Sequence, residues 1–195
     1  MEALTFHPAI WPIVLELTDH KPRFASGTMR VNTRTQDTFG ALHCAADDRG
    51  PQTPCYLVED GRIYCDYFVV FVYVTDVHPG DGGLVVVPGS HKSQFKRPPD
   101  FYISPDGNDP NPHPAVFNIT PKAGDVVIIS ELLAHGVLRW QPADRDRRFL
   151  MMRYVPQFIG PIDDNLPFPF PDEILERLSP ETRELIEFAP RSRVK

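Results

Sequence analysis

The sequence predicts an all-β protein with a few minor helices, arranged as a jelly roll. Three observations lead there. The 195 residues include 22 prolines, about twice average usage, which disfavours a helical protein and suits strands joined by loops. Short segments rich in β-branched and aromatic residues recur between turns that carry glycine and proline. Strands do not alternate with helical patterns, so an antiparallel sandwich or barrel is expected rather than a parallel βα architecture.

Taken in order, "PAIWPIVLELTD" (8–19) predicts a short helix with Pro12 near its start, and "SGTMRVNT" (26–33) alternates like a strand. "RIYCDYFVVFVYVTDV" (62–77) gives the strongest strand signal, apolar enough to be covered on both faces. "HPGDGG" follows as a turn, with glycines supplying backbone freedom, and "LVVVPGSHK" is a short buried strand stopped by Pro88-Gly89. "AVFNIT", "GDVVIIS" and "RRFLMMRYV" predict three more strands. The tail "PDEILERLSPETRELIEF" (171–188) is helical, with Ser179-Pro180 as a cap followed by proline at the first helical position.

By length this is a single domain over 1–195. Its core is expected at about 26–156, with a proline-rich connector and C-terminal helices over 157–195. A net charge of -6 argues against a broad nucleic-acid footprint. No apolar run approaches the roughly 20 residues that span a bilayer, and the N-terminus lacks the features of a signal peptide. Cys44, Cys55 and Cys65 are odd in number and form no CxxC pair, which points to a reducing, cytoplasmic setting. Small-molecule partners are therefore expected, with a homodimer as the allowed assembly and neither nucleic acid nor membrane involved.

Among seven histidines, His7, His20, His78, His91 and His113 sit beside prolines, charges or turn residues and read as loop histidines. His43 in "ALHCAA" and His135 in "LLAHGV" follow apolar stretches and have small neighbours, which leave room for a ligand at the imidazole. Taken alone, each is more often a satisfied core histidine than a ligand. Further on, Arg147, Phe149, Met151 and Arg153 share one strand face. A guanidinium inside a barrel requires an anion, and its fork suits a carboxylate. The other reading of "ADRDRR" is a charged surface cluster.

"TDVHPGDGGLVVVPGSHK", "AGDVVIISELLAHG" and "RRFLMMRY", in this order and spacing, resemble the phytanoyl-CoA dioxygenase family of non-haem iron, 2-oxoglutarate-dependent oxygenases. The resemblance covers about residues 26–156 and implies a double-stranded β-helix, a jelly-roll variant. It implies iron held by a His-x-Asp pair and a distal histidine, with an arginine on the far carboxylate of 2-oxoglutarate. His43 maps to the proximal histidine, His135 to the distal one and Arg147 to the arginine. Relatives generally carry a segment before this point, so an outer layer is expected to be absent here.

Two positions depart from that pattern. Ala45 stands where the aspartate belongs, and Val137 where many members carry a serine that helps bind 2-oxoglutarate. Asp47 would share the strand face of His43, but about 13 Å away if the strand continues. It could serve as a ligand only if the chain folds back, which "DDRG" permits. Three readings stay open. Asp47 or Asp48 restores the metal triad, giving a hydroxylase. Chloride fills the vacant position, as in iron/2-oxoglutarate halogenases, which carry Ala or Gly there. Or the fold is an inactive jelly-roll binding protein.

The expected activity is iron(II)/2-oxoglutarate-dependent hydroxylation of a small organic substrate at a C–H bond. Arg153 is expected to favour an anionic substrate or support the co-substrate, its alternative being a rim salt bridge. The segment 97–114 reads as a surface excursion able to act as a lid.

Overall fold

A computed structural model describes residues 2–35, 40–47, 53–94, 97–98, 101, 103, 113–160 and 170–189. In chain order these form α1 (Glu2–Thr5), α2 (Trp11–Leu17), β1 (Pro22–Asn32), β2 (Gly40–His43), β3 (Tyr56–Glu59), β4 (Arg62–Cys65), β5 (Phe68–Tyr73) and β6 (Gly83–Val86). A 3-10 turn (Ser90–Lys92), β7 (Phe117–Asn118), β8 (Val126–Ser130), β9 (His135–Leu138), β10 (Arg147–Pro156), α3 (Asp172–Leu175) and α4 (Pro180–Ile186) follow. The all-β class and the minor helices are as the sequence predicts. Two four-stranded sheets, β1-β10-β5-β8 and β2-β9-β6-β7, carry the jelly roll, and β3-β4 is a separate hairpin. None of the described helices is long and apolar enough to cross a membrane.

Contacts gather the chain into two compact units. The larger is Thr28–Pro54 with Val69–Met151. Its main core joins Val69, Phe71 and Tyr73 of β5 to Leu84 and Val86 of β6, Phe149 and Met151 of β10, and Trp140. A second cluster, including Leu42, Val85, Val87 and Ala134, covers the other side of β2, β6 and β9. Alternation along a strand explains the division: Leu84 and Val86 face one cluster, Val85 and Val87 the other. The "HPGD" turn closes through Asp81, whose carboxylate accepts from the His78 amide at 2.7 Å and from the Arg145 guanidinium at 2.6 Å.

The smaller unit is Met1–Gly27, Cys55–Phe68 and Met152–Lys195. Here Phe6 and Trp11 meet edge-on with centroids 4.7 Å apart, and Phe24 and Phe68 flank the buried Tyr154. Buried Arg23 donates to the carbonyls of Ile159 and Gly160 at 3.0 and 2.6 Å. Ser179 caps α4, its hydroxyl accepting from the Thr182 amide at 3.2 Å, with Pro180 at the first helical position as expected.

The single strand expected over 62–77 is instead two, β4 and β5, broken at Asp66-Tyr67. Asp66 causes the break locally. Its amide donates to the Cys55 carbonyl and its carboxylate accepts from the Cys55 amide, which closes the hairpin end before β5 begins. All six residues of β5 are buried, so it is covered on both faces as its composition predicts. The short strands β2, β3 and β9 carry no signal strong enough to predict them.

Candidate metal and co-substrate centre

The centre is built on the pairing of β2 with β9. These strands are antiparallel, and His43 and His135 are direct register partners beside a bulge in β2. Residues opposite each other across a pair present side chains to the same face, and the two imidazole centroids lie 4.3 Å apart. His135 is also the register partner of Val86 in β6. Gly136 makes the close approach possible, because a Cβ there would sit 2.8 Å from the Gly40 carbonyl oxygen. The absence of a side chain at Gly136 thus lets two backbones come together beside the centre.

Each imidazole is oriented by its own strand. Nδ1 of His43 lies 2.9 Å from the Ala41 carbonyl, and Nδ1 of His135 lies 2.7 Å from the Leu133 carbonyl. A carbonyl oxygen only accepts, so both Nδ1 atoms carry the proton, and in the neutral rings both Nε2 atoms keep a lone pair. Histidines that bind metal are commonly held this way, with the distal N–H on a carbonyl. His135 is buried, whereas His43 is exposed, so the pair opens to solvent on the His43 side.

Asp47 does not join the pair. The chain turns after His43, with the Asp47 amide donating to the Cys44 carbonyl at 3.0 Å. Its carboxylate then accepts from the Cys44 amide at 3.0 Å and pairs with Arg97 at 3.3 Å. Cys44 and Ala134 pack on the second cluster, opposite in alternation to the two histidines. Asp47 lines a cleft of about 290 Å³ with Val87, Arg97 and Ala134 on that side. Burial raises the Cys44 thiol above its usual range, and the neighbouring Asp47 charge adds to this. Asp48 lies outside the described residues. Among the described residues, no three His, Cys, Asp or Glu side chains converge on one ion position as they stand.

Sequence reasoning missed Glu131. Its carboxylate is buried beside His135, with Oε2 3.6 Å from Nε2, and its carbonyl accepts from the Ala45 amide at 2.8 Å. The available signal was its place four residues before His135 in "ELLAH".

Arg147, at 1% exposure, is the inward member of the arginine pair, while Arg148 is exposed. Among the described residues its hydrogen-bond partners are neutral: Asn32 Oδ1 at 3.1 Å and the Tyr73 hydroxyl at 3.0 Å. Its guanidinium lies over the Phe149 ring at 4.3 Å, and its buried Nε has no partner. A buried cation with an unmet donor calls for an anion. Gly83 shapes the cradle, since a Cβ there would lie 3.1 Å from Arg147 Nε. Gly83 is three residues along β6 from Val86, the partner of His135, or about 10 Å. A five-carbon dicarboxylate bridging a metal and the guanidinium can cover that span. The donors present thus fit both a divalent iron and 2-oxoglutarate.

Arg153 is half-buried in β10, where the alternation of Arg147–Met151 gives way to burial of both Met152 and Tyr154. Val137 is half-buried in β9, opposite Gly40 and Leu84. Most of 97–114 lies outside the described residues.

A β-sandwich that presents two imidazole Nε2 atoms on one face offers part of a transition-metal donor set. The profile of the phytanoyl-CoA dioxygenase family matches residues 20–141, and the chain belongs to that family. It is 28% identical over 115 residues to the dioxygenase cdmD of Talaromyces verruculosus. That match covers 59% of this chain but only 34% of cdmD, so the chain spans about a third of this curated relative. Solved structures show the same fold. HygX from Streptomyces hygroscopicus with iron bound is 24% identical, with a TM-score of 0.67 over 82% of this chain and 68% of that one. HygX with nickel, 2-oxoglutarate and hygromycin B bound gives 0.63 over 82% and 66% at the same identity. The nickel complex of the non-heme monooxygenase ThoJ is 19% identical, with a TM-score of 0.55 over 83% and 56%. Family and fold together support a dioxygenase-like function.

Proposed function

We propose that the chain is an iron(II)/2-oxoglutarate-dependent dioxygenase that hydroxylates a small organic substrate at a C–H bond. The register pairing of His43 with His135, both presenting Nε2, carries this reading. HygX, which shares the fold and holds nickel, 2-oxoglutarate and hygromycin B together, supports a small-molecule substrate.

His43 and His135 hold iron through Nε2, oriented by the Ala41 and Leu133 carbonyls. Arg147 binds the far carboxylate of 2-oxoglutarate through its unmet Nε and its fork, with Asn32 and Tyr73 fixing the guanidinium plane. When bound, iron with dioxygen and 2-oxoglutarate supplies the oxidising power, yielding succinate and carbon dioxide. Phe149, Leu84 and Val86 give the centre an apolar wall on the side away from the exposed His43. A cytoplasmic setting and small-molecule partners are part of this proposal, and Cys44, Cys55 and Cys65 are free thiols.

The engagement of Asp47 away from the histidines keeps a second reading in play, a halogenase with chloride in place of the missing carboxylate. Anaerobic titration with iron(II) and 2-oxoglutarate tests both, read by the visible charge-transfer band and by succinate release in air. A band that ignores chloride supports the hydroxylase, and one that shifts with chloride supports the halogenase. With no band, the chain is a binding protein.

A further inference from the structure

We infer that Glu131 supplies the carboxylate ligand that Ala45 lacks, so that the metal is held by His43, His135 and Glu131. This rests on the iron-site reading above and concerns which side chain completes it.

The first argument is position. The Ala45 amide donates to the Glu131 carbonyl at 2.8 Å, which ties the residue without a carboxylate directly to one that has one. The carboxylate is buried on the histidine side, and its Oε2 lies 3.6 Å from His135 Nε2. Two donor atoms each about 2.1 Å from one ion can be up to about 4.2 Å apart, so this separation allows both to bind the same metal. The inference includes a rotation of the Glu131 side chain, which has three rotatable bonds, to bring its carboxylate to His43 as well, since the three donors do not converge as they stand.

The second argument is electronic. With Nδ1 of His135 donating to Leu133, its Nε2 presents a lone pair toward the Glu131 carboxylate. Two acceptors this close call for a shared proton or a metal ion between them. A divalent metal meets that need, and two neutral imidazoles with one carboxylate are the donor set that a mononuclear iron(II) oxygenase site uses. Asp47 cannot take this role without giving up both Cys44 and Arg97.

Cobalt(II) binding, followed by visible absorption in the absence of 2-oxoglutarate, tests the assignment on wild type, Glu131→Gln, Asp47→Asn and His135→Ala. Wild type is expected to bind one equivalent, and Glu131→Gln to bind at least about tenfold more weakly. Asp47→Asn should match wild type. Equal melting temperatures of the metal-free proteins show that Glu131→Gln is folded. If Glu131→Gln binds within twofold of wild type while His135→Ala does not bind, the histidine site stands and the cation beside Glu131 is a proton on His135, which overturns the inference. Failure of wild type to bind cobalt overturns both the inference and the site reading. Should Glu131→Gln not fold, a manganese(II) soak of wild-type crystals decides the point. Density joining a Glu131 oxygen to the ion supports the assignment, and an ion on the histidines with Glu131 turned away defeats it.

Discussion

The amide of Ala45 donates to the carbonyl of Glu131 at 2.8 Å, across the gap between the end of β2 and the turn that leads into β9. This bond, together with the His43–His135 register, holds the two segments of the centre against each other. Long-range backbone pairing therefore positions the donors, with Leu42, Val85 and Ala134 packed behind them. The consequences can be tested residue by residue.

The two histidines should separate in stability while agreeing in function. His43 is exposed, so His43→Ala is expected to change the stability of the metal-free protein by no more than about 0.5 kcal/mol. His135 is buried, and His135→Ala should cost about 1–3 kcal/mol by removing the packed ring and its hydrogen bond to the Leu133 carbonyl. Excess cobalt(II) should raise the melting temperature of wild type and of neither variant. Differential scanning fluorimetry with and without metal checks both parts.

Arg147 is predicted to serve the co-substrate rather than the fold. Arg147→Met keeps the packing on Phe149 but removes the buried charge, so the metal-free protein should be as stable as wild type or more so. Its affinity for 2-oxoglutarate should fall at least about tenfold, the worth of a charge-assisted hydrogen bond. Arg147→Lys should also bind poorly, since it keeps the charge but loses the fork. Titrating 2-oxoglutarate into iron(II)-loaded protein without oxygen measures this. Wild-type affinity in Arg147→Met would remove the anchor role.

Gly83→Ala tests the cradle. Gly83 has φ of +85°, and an added Cβ would lie 3.1 Å from Arg147 Nε. Left-handed strain alone should cost about 1–2 kcal/mol. The displaced guanidinium should weaken 2-oxoglutarate binding while leaving cobalt affinity unchanged. Chemical denaturation and the two titrations together read the split.

Asp81 should matter to stability without touching the metal. It joins the His78 amide to Arg145, whose backbone carbonyl accepts from the buried Trp140 indole at 2.8 Å. Asp81→Ala breaks this link and is expected to cost about 2 kcal/mol, less than a fully buried pair because Arg145 is 35% exposed. Urea denaturation should show a lower midpoint with an unchanged slope.

Much of this protein is local information. Proline and glycine placed the turns, β-branched runs placed β5, β6, β8 and β10, and Ser179-Pro180 placed the start of α4. The alternation of "RRFLMMRYV" put Arg147 and Arg148 on opposite faces, and the family resemblance selected Arg147 as the inward arginine. Resemblance in the "HPGDGG" and "LLAHG" segments was enough to pair His43 with His135 as candidate ligands. In each case the signal lies within a few residues, where backbone preference and side-chain period act directly.

Tertiary structure decided the rest, because it turns on contacts between residues far apart in the chain. No local pattern says that Asp47 will be taken by Cys44 and the distant Arg97, that Asn32 and Tyr73 will brace Arg147, or that Gly136 will let β9 approach Gly40. Nor does any local pattern place the Glu131 carbonyl against the Ala45 amide. A strand's face follows from its own residues; what that face meets depends on which strands hydrogen-bond together, and only the folded chain settles that.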